Sequence, residues 1–228
     1  MLSPEEIKKL VGTTAADLVE NDMPLGIGTG TTVYWFIMAL AEKVKNGLRC
    51  QAIPTSRQTE TLARQLNIPL LALNDVNRIA LTIDGADEIA PGLQLIKGGG
   101  GALLQEKMVA AASDRLIIIA DHTKAVDQLG KFPLPVEVIP YGWKQVQKHI
   151  GALYNVEMTL RFKDGQPLIT DHGHYILDCH FGQITDAPAL EMQLNNIPGT
   201  VENGLFIHRA QQALVGYPDG SIKSIYGK

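Results

Sequence analysis

Cysteine is scarce in this sequence of 228 residues: Cys50 and Cys179 are the two it has, far apart and without a CxxC spacing. That argues against a disulfide framework and against a thiolate zinc site, and makes a reducing cytosol the natural setting. Basic residues are not gathered anywhere. With 20 Lys and Arg against 24 Asp and Glu, the net charge is −4, and no Lys/Arg cluster provides the basic face that a nucleic-acid partner needs. Long apolar runs are missing as well. The longest, such as Leu116–Ala120, are far too short to cross a bilayer, and Met1-Leu2-Ser3-Pro4-Glu5-Glu6 lacks the basic start and apolar stretch of a secretory leader. The expectation is a soluble, cytoplasmic protein with no membrane and no nucleic-acid partner. Any anionic ligand must be attracted by a few local lysines and by oriented backbone amides, because bulk charge has the wrong sign.

What is present is a rhythm. Ser3-Pro4-Glu5-Glu6 has the form of a helix start, with Ser3 as N-cap, Pro4 at the first helical position and Glu6 closing a capping box. That helix is expected to run to about Glu20. Strands are expected at Met23–Ile27, Cys50–Ile53, Arg78–Asp84, Leu93–Lys97 and Arg115–Ala120, with helices at about Thr32–Lys45, Ser56–Leu66 and Ala102–Ala112. Strands apolar on both faces, alternating with helices, predict a Rossmann-like, mostly parallel sheet flanked by helices, with ligands at the carboxyl ends of its strands. At Lys131-Phe132-Pro133-Leu134-Pro135 the rhythm changes. The order that follows is strand (Val136–Ile139), helix (Gly142–Leu153), strand (Val156–Phe162), strand (Tyr175–Cys179), helix (Pro188–Asn196), strand (Thr200–Phe206). This βαββαβ order predicts a smaller, ferredoxin-like α+β domain over residues 131–206, inserted into a catalytic domain of residues 1–130 plus 207–228. The chain returns to the core with Ala213–Tyr217 and Ile222–Tyr226, joined by the turn Pro218-Asp219-Gly220.

Four loops at strand ends carry unusual chemistry. Gly26-Ile27-Gly28-Thr29-Gly30-Thr31-Thr32 joins a strand to a helix, so its amides and hydroxyls, with the helix N-terminus, make a phosphate site. No Gly-Lys-Ser/Thr follows, so it is not a P-loop; alone the loop is a weak signal, the alternative being a tight turn with glycines chosen for packing. Asp84-Gly85-Ala86-Asp87-Glu88 crowds three carboxylates after an apolar strand; unless it is a solvated acidic turn, such crowding serves sugar hydroxyls, a metal or a moving proton. Lys97-Gly98-Gly99-Gly100-Gly101-Ala102 is costly in conformational entropy, which a cradle of amides around a ligand offsets, and Lys97 adds a fixed charge. Glu106 follows about one turn into the next helix. Ala120-Asp121-His122-Thr123-Lys124 places Lys124 at a further strand end.

Together these parts suit aldose–ketose isomerisation. The reaction removes a weakly acidic C–H beside a carbonyl, which a carboxylate achieves when donors or a cation stabilise the enediolate oxygens. In this reading Glu106 takes the C2 proton and returns it to C1, Lys97 and the glycine amides hold the oxyanion, and Asp84 and Asp87 orient hydroxyls and assist ring opening. Neither a metal nor another cofactor is required.

The motifs GIGTGTT, IDGADEI, LIKGGGGALLQEK, GKFPLPVEVIP, IPGTVENGLF and the closing YPDG turn resemble ribose-5-phosphate isomerase of type A over almost the whole chain. The resemblance implies interconversion of ribose 5-phosphate and ribulose 5-phosphate without a cofactor, by a homodimer or a dimer of dimers. It implies Glu106 as proton acceptor, with Asp84, Asp87 and Lys97 as further catalytic residues. Substrate contacts are implied at Thr29, Gly30, Thr31, Thr32, Asp84, Gly85, Ala86, Asp87, Lys97, Gly98, Gly99, Gly100 and Lys124, and Lys8 is a candidate for the phosphate. One departure is visible: Ala90 stands where the family often has Asn.

Other features fit simpler roles. Asp171-His172-Gly173-His174 has the look of a hairpin turn rather than a metal site. Trp35 and Trp143 fall on helices and are expected to pack. Three other functions compete. A sugar-phosphate sensor needs an output module that is not visible here. A sugar-phosphate deaminase or lactonase would use a similar cradle. A nicotinamide dehydrogenase requires an acidic residue at the end of the second strand, which instead ends in Ile53-Pro54-Thr55.

Overall fold

The computed structural model describes residues 1–227. Helix α1 (Pro4–Ala16) begins at the capping box read from the sequence: Glu6 N donates to Ser3 Oγ, and Ser3 N donates to Glu6 Oε2 at 2.8 Å. The helix stops earlier than Glu20 because Asp17 closes it by donating its N–H back to Thr14 and Ala15. There follow β1 (Met23–Ile27), α2 (Thr31–Lys45), β2 (Cys50–Pro54), α3 (Arg57–Gln65), β3 (Leu81–Asp84), β4 (Glu88–Ala90), β5 (Gln94–Ile96), α4 (Leu103–Ala111) and β6 (Leu116–Asp121). Next come β7 (Leu134–Val138), α5 (Trp143–Tyr154), β8 (Glu157–Leu160), the short hairpin of β9 (Phe162–Lys163) and β10 (Gln166–Pro167), β11 (Tyr175–His180), α6 (Ala187–Asn195) and β12 (Thr200–Asn203). The chain ends with β13 (Leu205–Phe206), β14 (Gln212–Gly216) and β15 (Ile222–Tyr226).

The main sheet has the order β15-β14-β6-β3-β1-β2, parallel throughout except for the antiparallel edge strand β15. All six residues of β6 are buried, as expected for a central strand covered on both faces. Alternation sorts them: Ile117 and Ile119 pack toward α1 and α2 in a core with Val11, Phe36 and Leu40. Leu116, Ile118 and Ala120 face the opposite way, onto Leu93, Leu95 and Phe206.

That second face is where the sequence reading needs correction. The segment expected as a core strand at Leu93–Lys97 is β5, and it does not join the main sheet. It forms a separate antiparallel sheet, β13-β5-β4, laid over the main one. A three-residue strand gives no periodicity that distinguishes the two placements. Likewise the strand expected over Thr200–Phe206 is two: β12 ends at Asn203, and β13 pairs with β5.

The segment from β7 to β12 builds a four-stranded antiparallel sheet of order β12-β7-β11-β8. With α5 and α6 this is the βαββαβ connectivity expected, around an apolar cluster of Val136, Val138, Ile150, Leu177 and Leu194 that continues onto Ala90 and Ile96 of the small sheet. The strand expected to continue to Phe162 ends at Leu160, and residues 162–167 form the small hairpin of β9 and β10 instead. No helix among the described residues is long and apolar enough to cross a membrane.

Candidate active site

Strands β6, β3 and β1 are neighbours in the sheet, so the loops at their carboxyl ends are neighbours too. These are the loops holding Lys124, Asp87 and Thr29–Thr32. The small sheet delivers the fourth loop: β5 ends at Ile96, and Lys97 N donates to Gly204 O at 2.9 Å just beyond the strand. Residues 29–32, 85–87 and 97–100, with Glu106, Lys124 and Lys8, line one cavity of about 460 Å³. Every site residue expected from the sequence is there except Asp84. A larger cavity of about 760 Å³ lies beside α3 and α4, but none of those residues faces it, and its Glu60 and Arg64 are paired with each other.

Asp84 sits beneath the cavity floor, 1% exposed. Its Oδ1 accepts from Thr29 N at 3.1 Å and Gly85 N at 2.7 Å, and its Oδ2 lies 3.0 Å from Lys97 Nζ. Lys97 is also fully enclosed. Its ammonium donates to Gly85 O at 2.7 Å and stands 3.3 Å from Glu106 Oε2. Burial opposes the charge on Lys97, but the Asp84 and Glu106 carboxylates outweigh it and raise the ammonium pKa. For Glu106 the balance goes the other way. Burial dominates the attraction of Lys97, Asp84 and Asp87 add repulsion, and the carboxyl is pushed up to about 8. Glu106 Oε2 is buried without a hydrogen-bond partner among the described residues. A carboxylate held this way, near neutral pKa and facing a cavity, is equipped to accept a proton.

The three carboxylates of the acidic loop have separate surroundings. Asp87 faces the cavity, and its Oδ2 accepts from Gly99 N at 2.8 Å. Glu88 is buried and turned away, accepting from Gly130 N at 2.7 Å and Phe132 N at 2.6 Å, so it pins the segment leading into β7. Gly28 must be glycine because a Cβ there would stand 2.1 Å from Asp84 Oδ1. The Thr29 hydroxyl is engaged with Thr55, Ser56 and Thr59 at 2.8–3.1 Å and its N–H with Asp84, so Thr29 shapes the loop and leaves ligand donors to the residues that follow. Gly30, with φ of 124°, precedes the first residue of α2, leaving the helix N-terminal amides of residues 31–32 at the cavity wall.

Sequence reasoning missed three contributors. The hydroxyls of Thr55, Ser56 and Thr59 order the first glycine loop from the start of α3, and no motif marks them. Lys107, beside Glu106, is buried and donates to Glu202 Oε1 and Asn203 O, both at 2.8 Å, tying α4 to β12. Arg161, from the end of β8, reaches the glycine run itself.

Comparison with known proteins identifies the family. A family model described as ribose 5-phosphate isomerase A (phosphoriboisomerase A) matches residues 51–220. A ribose-5-phosphate isomerase A of Bacillus mycoides is 52% identical over 215 residues, covering 94% of this chain and 97% of the relative. A D-ribose-5-phosphate isomerase solved in complex with phospho-erythronic acid superposes with a TM-score of 0.95 at 39% identity, covering 99% of this chain and all of the other. The ribose 5-phosphate isomerase A of Methanocaldococcus jannaschii gives 0.93 at 39% identity, over 98% and 100% of the two chains.

Proposed function

The chain belongs to the ribose 5-phosphate isomerase A family and interconverts ribose 5-phosphate and ribulose 5-phosphate; from that premise we propose that Glu106 is the base that carries the proton. The observation behind this is the buried Glu106 carboxylate, raised to about 8 and facing the cavity between the glycine run and the acidic loop.

In the open-chain sugar the Glu106 carboxylate removes the C2 proton. The C–H electron pair forms the C1–C2 double bond, and the carbonyl electrons move onto O1. Glu106, now protonated, returns the proton to C1; the enediol collapses to a C2 carbonyl, and the O2 proton ends on O1. Lys97 serves the charge balance: with Gly85 O and Asp84 already occupying its ammonium, it holds Glu106 by charge while the glycine amides meet the developing oxyanion. Asp84 anchors Lys97 and the Thr29 and Gly85 amides. Asp87, whose second oxygen accepts no hydrogen bond from the chain's described residues, orients hydroxyls and assists ring opening. The N-terminus of α2, with Lys124 and Lys8 lining the same cavity, takes the phosphate.

Phospho-erythronic acid, the ligand of the related structure, is expected to bind in the same cavity with its carboxylate in place of the enediolate oxygens. The division into residues 1–130 plus 207–228 and an inserted 131–206 is proposed on the separate four-stranded sheet β12-β7-β11-β8. A cytosolic homodimer is proposed on family resemblance. Turnover in D₂O tests the base: solvent deuterium enters C1 of ribulose 5-phosphate to the extent that protonated Glu106 exchanges before it returns the proton, and this incorporation is expected to be absent with Glu106→Gln. Equal incorporation by both proteins contradicts the assignment.

A further inference from the structure

Four consecutive glycines do not make a cradle on their own. Gly98 and Gly101 have φ of 100° and 84°, Gly99 and Gly100 are exposed, and such a run samples many conformations unless something holds it. Preorganised donors stabilise an oxyanion only if they are already aimed when charge develops.

Gly101 N closes a turn onto Gly98 O at 3.0 Å, and Arg161 adds the hold from the second sheet. Its Nη1 donates to Gly98 O at 2.8 Å and to Gly99 O at 3.0 Å. The rest of the guanidinium is locked on β11: Nε donates to Asp178 Oδ2 at 2.8 Å, and Nη2 pairs with Asp178 Oδ1. Arg161 is 13% exposed, and its backbone is also engaged, Arg161 N donating to Ile176 O at 2.9 Å. This is a fixed fork rather than a mobile surface arginine.

Peptide geometry turns that hold into direction. In a planar trans peptide the C=O and N–H point opposite ways. Fixing Gly98 O therefore sends Gly99 N–H to the far side, where it donates to Asp87 Oδ2 at 2.8 Å. Fixing Gly99 O sends Gly100 N–H away from Arg161 as well. That N–H has no partner among the described residues, and Gly100 lines the cavity. The guanidinium charge also polarises both peptides, strengthening the donors at their opposite ends.

We infer that Arg161 is a positioning residue for the isomerisation: it sets the two glycine peptides so that Gly100 N–H meets the enediolate oxygen and Gly99 N–H holds Asp87. The inference rests on the reading of this cavity as the isomerase site with Glu106 as base.

The test compares Arg161→Ala, Arg161→Lys and Glu106→Gln in steady-state kinetics, with phospho-erythronic acid as competitive inhibitor. For Arg161→Ala, kcat is expected to fall roughly 30-fold with KM within about threefold, and inhibitor affinity to weaken by about the same roughly 30-fold factor. Arg161→Lys, which keeps the charge but not the fork, is expected to recover part of both losses. If Arg161→Ala does not fold, Asp178→Asn, which loosens the fork without removing it, is expected to lower kcat and inhibitor affinity together by about three- to tenfold. A lower Tm or smaller active fraction with unchanged inhibitor affinity makes Arg161 a structural tie and overturns the proposal. Loss of turnover in Glu106→Gln with full activity in Arg161→Ala removes Arg161 alone; the converse removes the Glu106 assignment and leaves the clamp.

Discussion

Lys97 Nζ lies 3.3 Å from Glu106 Oε2, and neither side chain is more than 6% exposed. The pair does not behave as a simple ion pair, because the ammonium is shared with Asp84 at 3.0 Å and with Gly85 O at 2.7 Å. Lys97 thus keeps its proton, while Glu106 is left with the cost of burial and two neighbouring carboxylates. The asymmetry gives a base near neutrality instead of a permanently ionised acid.

The pH dependence of kcat/KM follows. Glu106 must be unprotonated to act, and its pKa is raised from 4.5 to about 8. In the free enzyme kcat/KM is expected to rise about tenfold per pH unit on the acid side and to level off above pH about 8. The substrate phosphate titrates separately, near pH about 6. A plateau already reached near pH 5 contradicts the burial argument.

Stability is expected to oppose activity at this residue. A carboxyl whose folded pKa is above its unfolded value stabilises the fold in its neutral form. That contribution is complete below the unfolded pKa of 4.5 and is lost as pH rises through about 8. Glu106→Gln removes the titration while leaving Lys97 its contacts with Asp84 and Gly85. At pH 9 the variant is expected to be more stable than wild type by a few kcal/mol, since each tenfold change in proton affinity on folding is worth about 1.4 kcal/mol at most. At pH 4 the two are expected to match. Urea unfolding at the two pH values measures the difference; equal gaps at both exclude Glu106 titration as its source.

Gly28→Ala is a probe of Asp84 that leaves every charge in place. Its Cβ would stand 2.1 Å from Asp84 Oδ1, and the backbone φ is not in the left-handed region, so crowding is the whole effect. Pushing Asp84 aside loosens Lys97 and the Thr29 and Gly85 amides together. A loss of about a hundredfold in kcat is expected, with destabilisation of about 1–3 kcal/mol. Kinetics within a few-fold of wild type would remove Asp84 from the organisation of the site.

Much of this was legible in the residue pattern, and the exceptions have physical reasons. The parallel core was visible because β6 and its neighbours are apolar on both faces, and the site because each glycine or acidic loop directly follows an apolar strand, even where that strand, β5, lies outside the core sheet. The small β13-β5-β4 sheet was not, since strands of two or three residues carry no period. Asp84, Asp87 and Glu88 look alike in a row, but only backbone direction assigns one beneath the floor, one to the cavity and one to Gly130 and Phe132. Arg161 was invisible for a similar reason: it stands 63 residues from Gly98, in a different sheet, with no motif around it. Lys107 was read only as part of a motif, because a lysine beside a glutamate on a helix ordinarily marks solvent, whereas here it is buried against Glu202 and Asn203.

Substituting the proposed base is the most direct measurement. Ketose formation from ribose 5-phosphate, followed at pH 8 for wild type and Glu106→Gln, is expected to show a drop in kcat of at least roughly a hundredfold with a much smaller change in KM. A Glu106→Gln enzyme that turns over ribose 5-phosphate at a rate close to wild type would contradict the account at its centre.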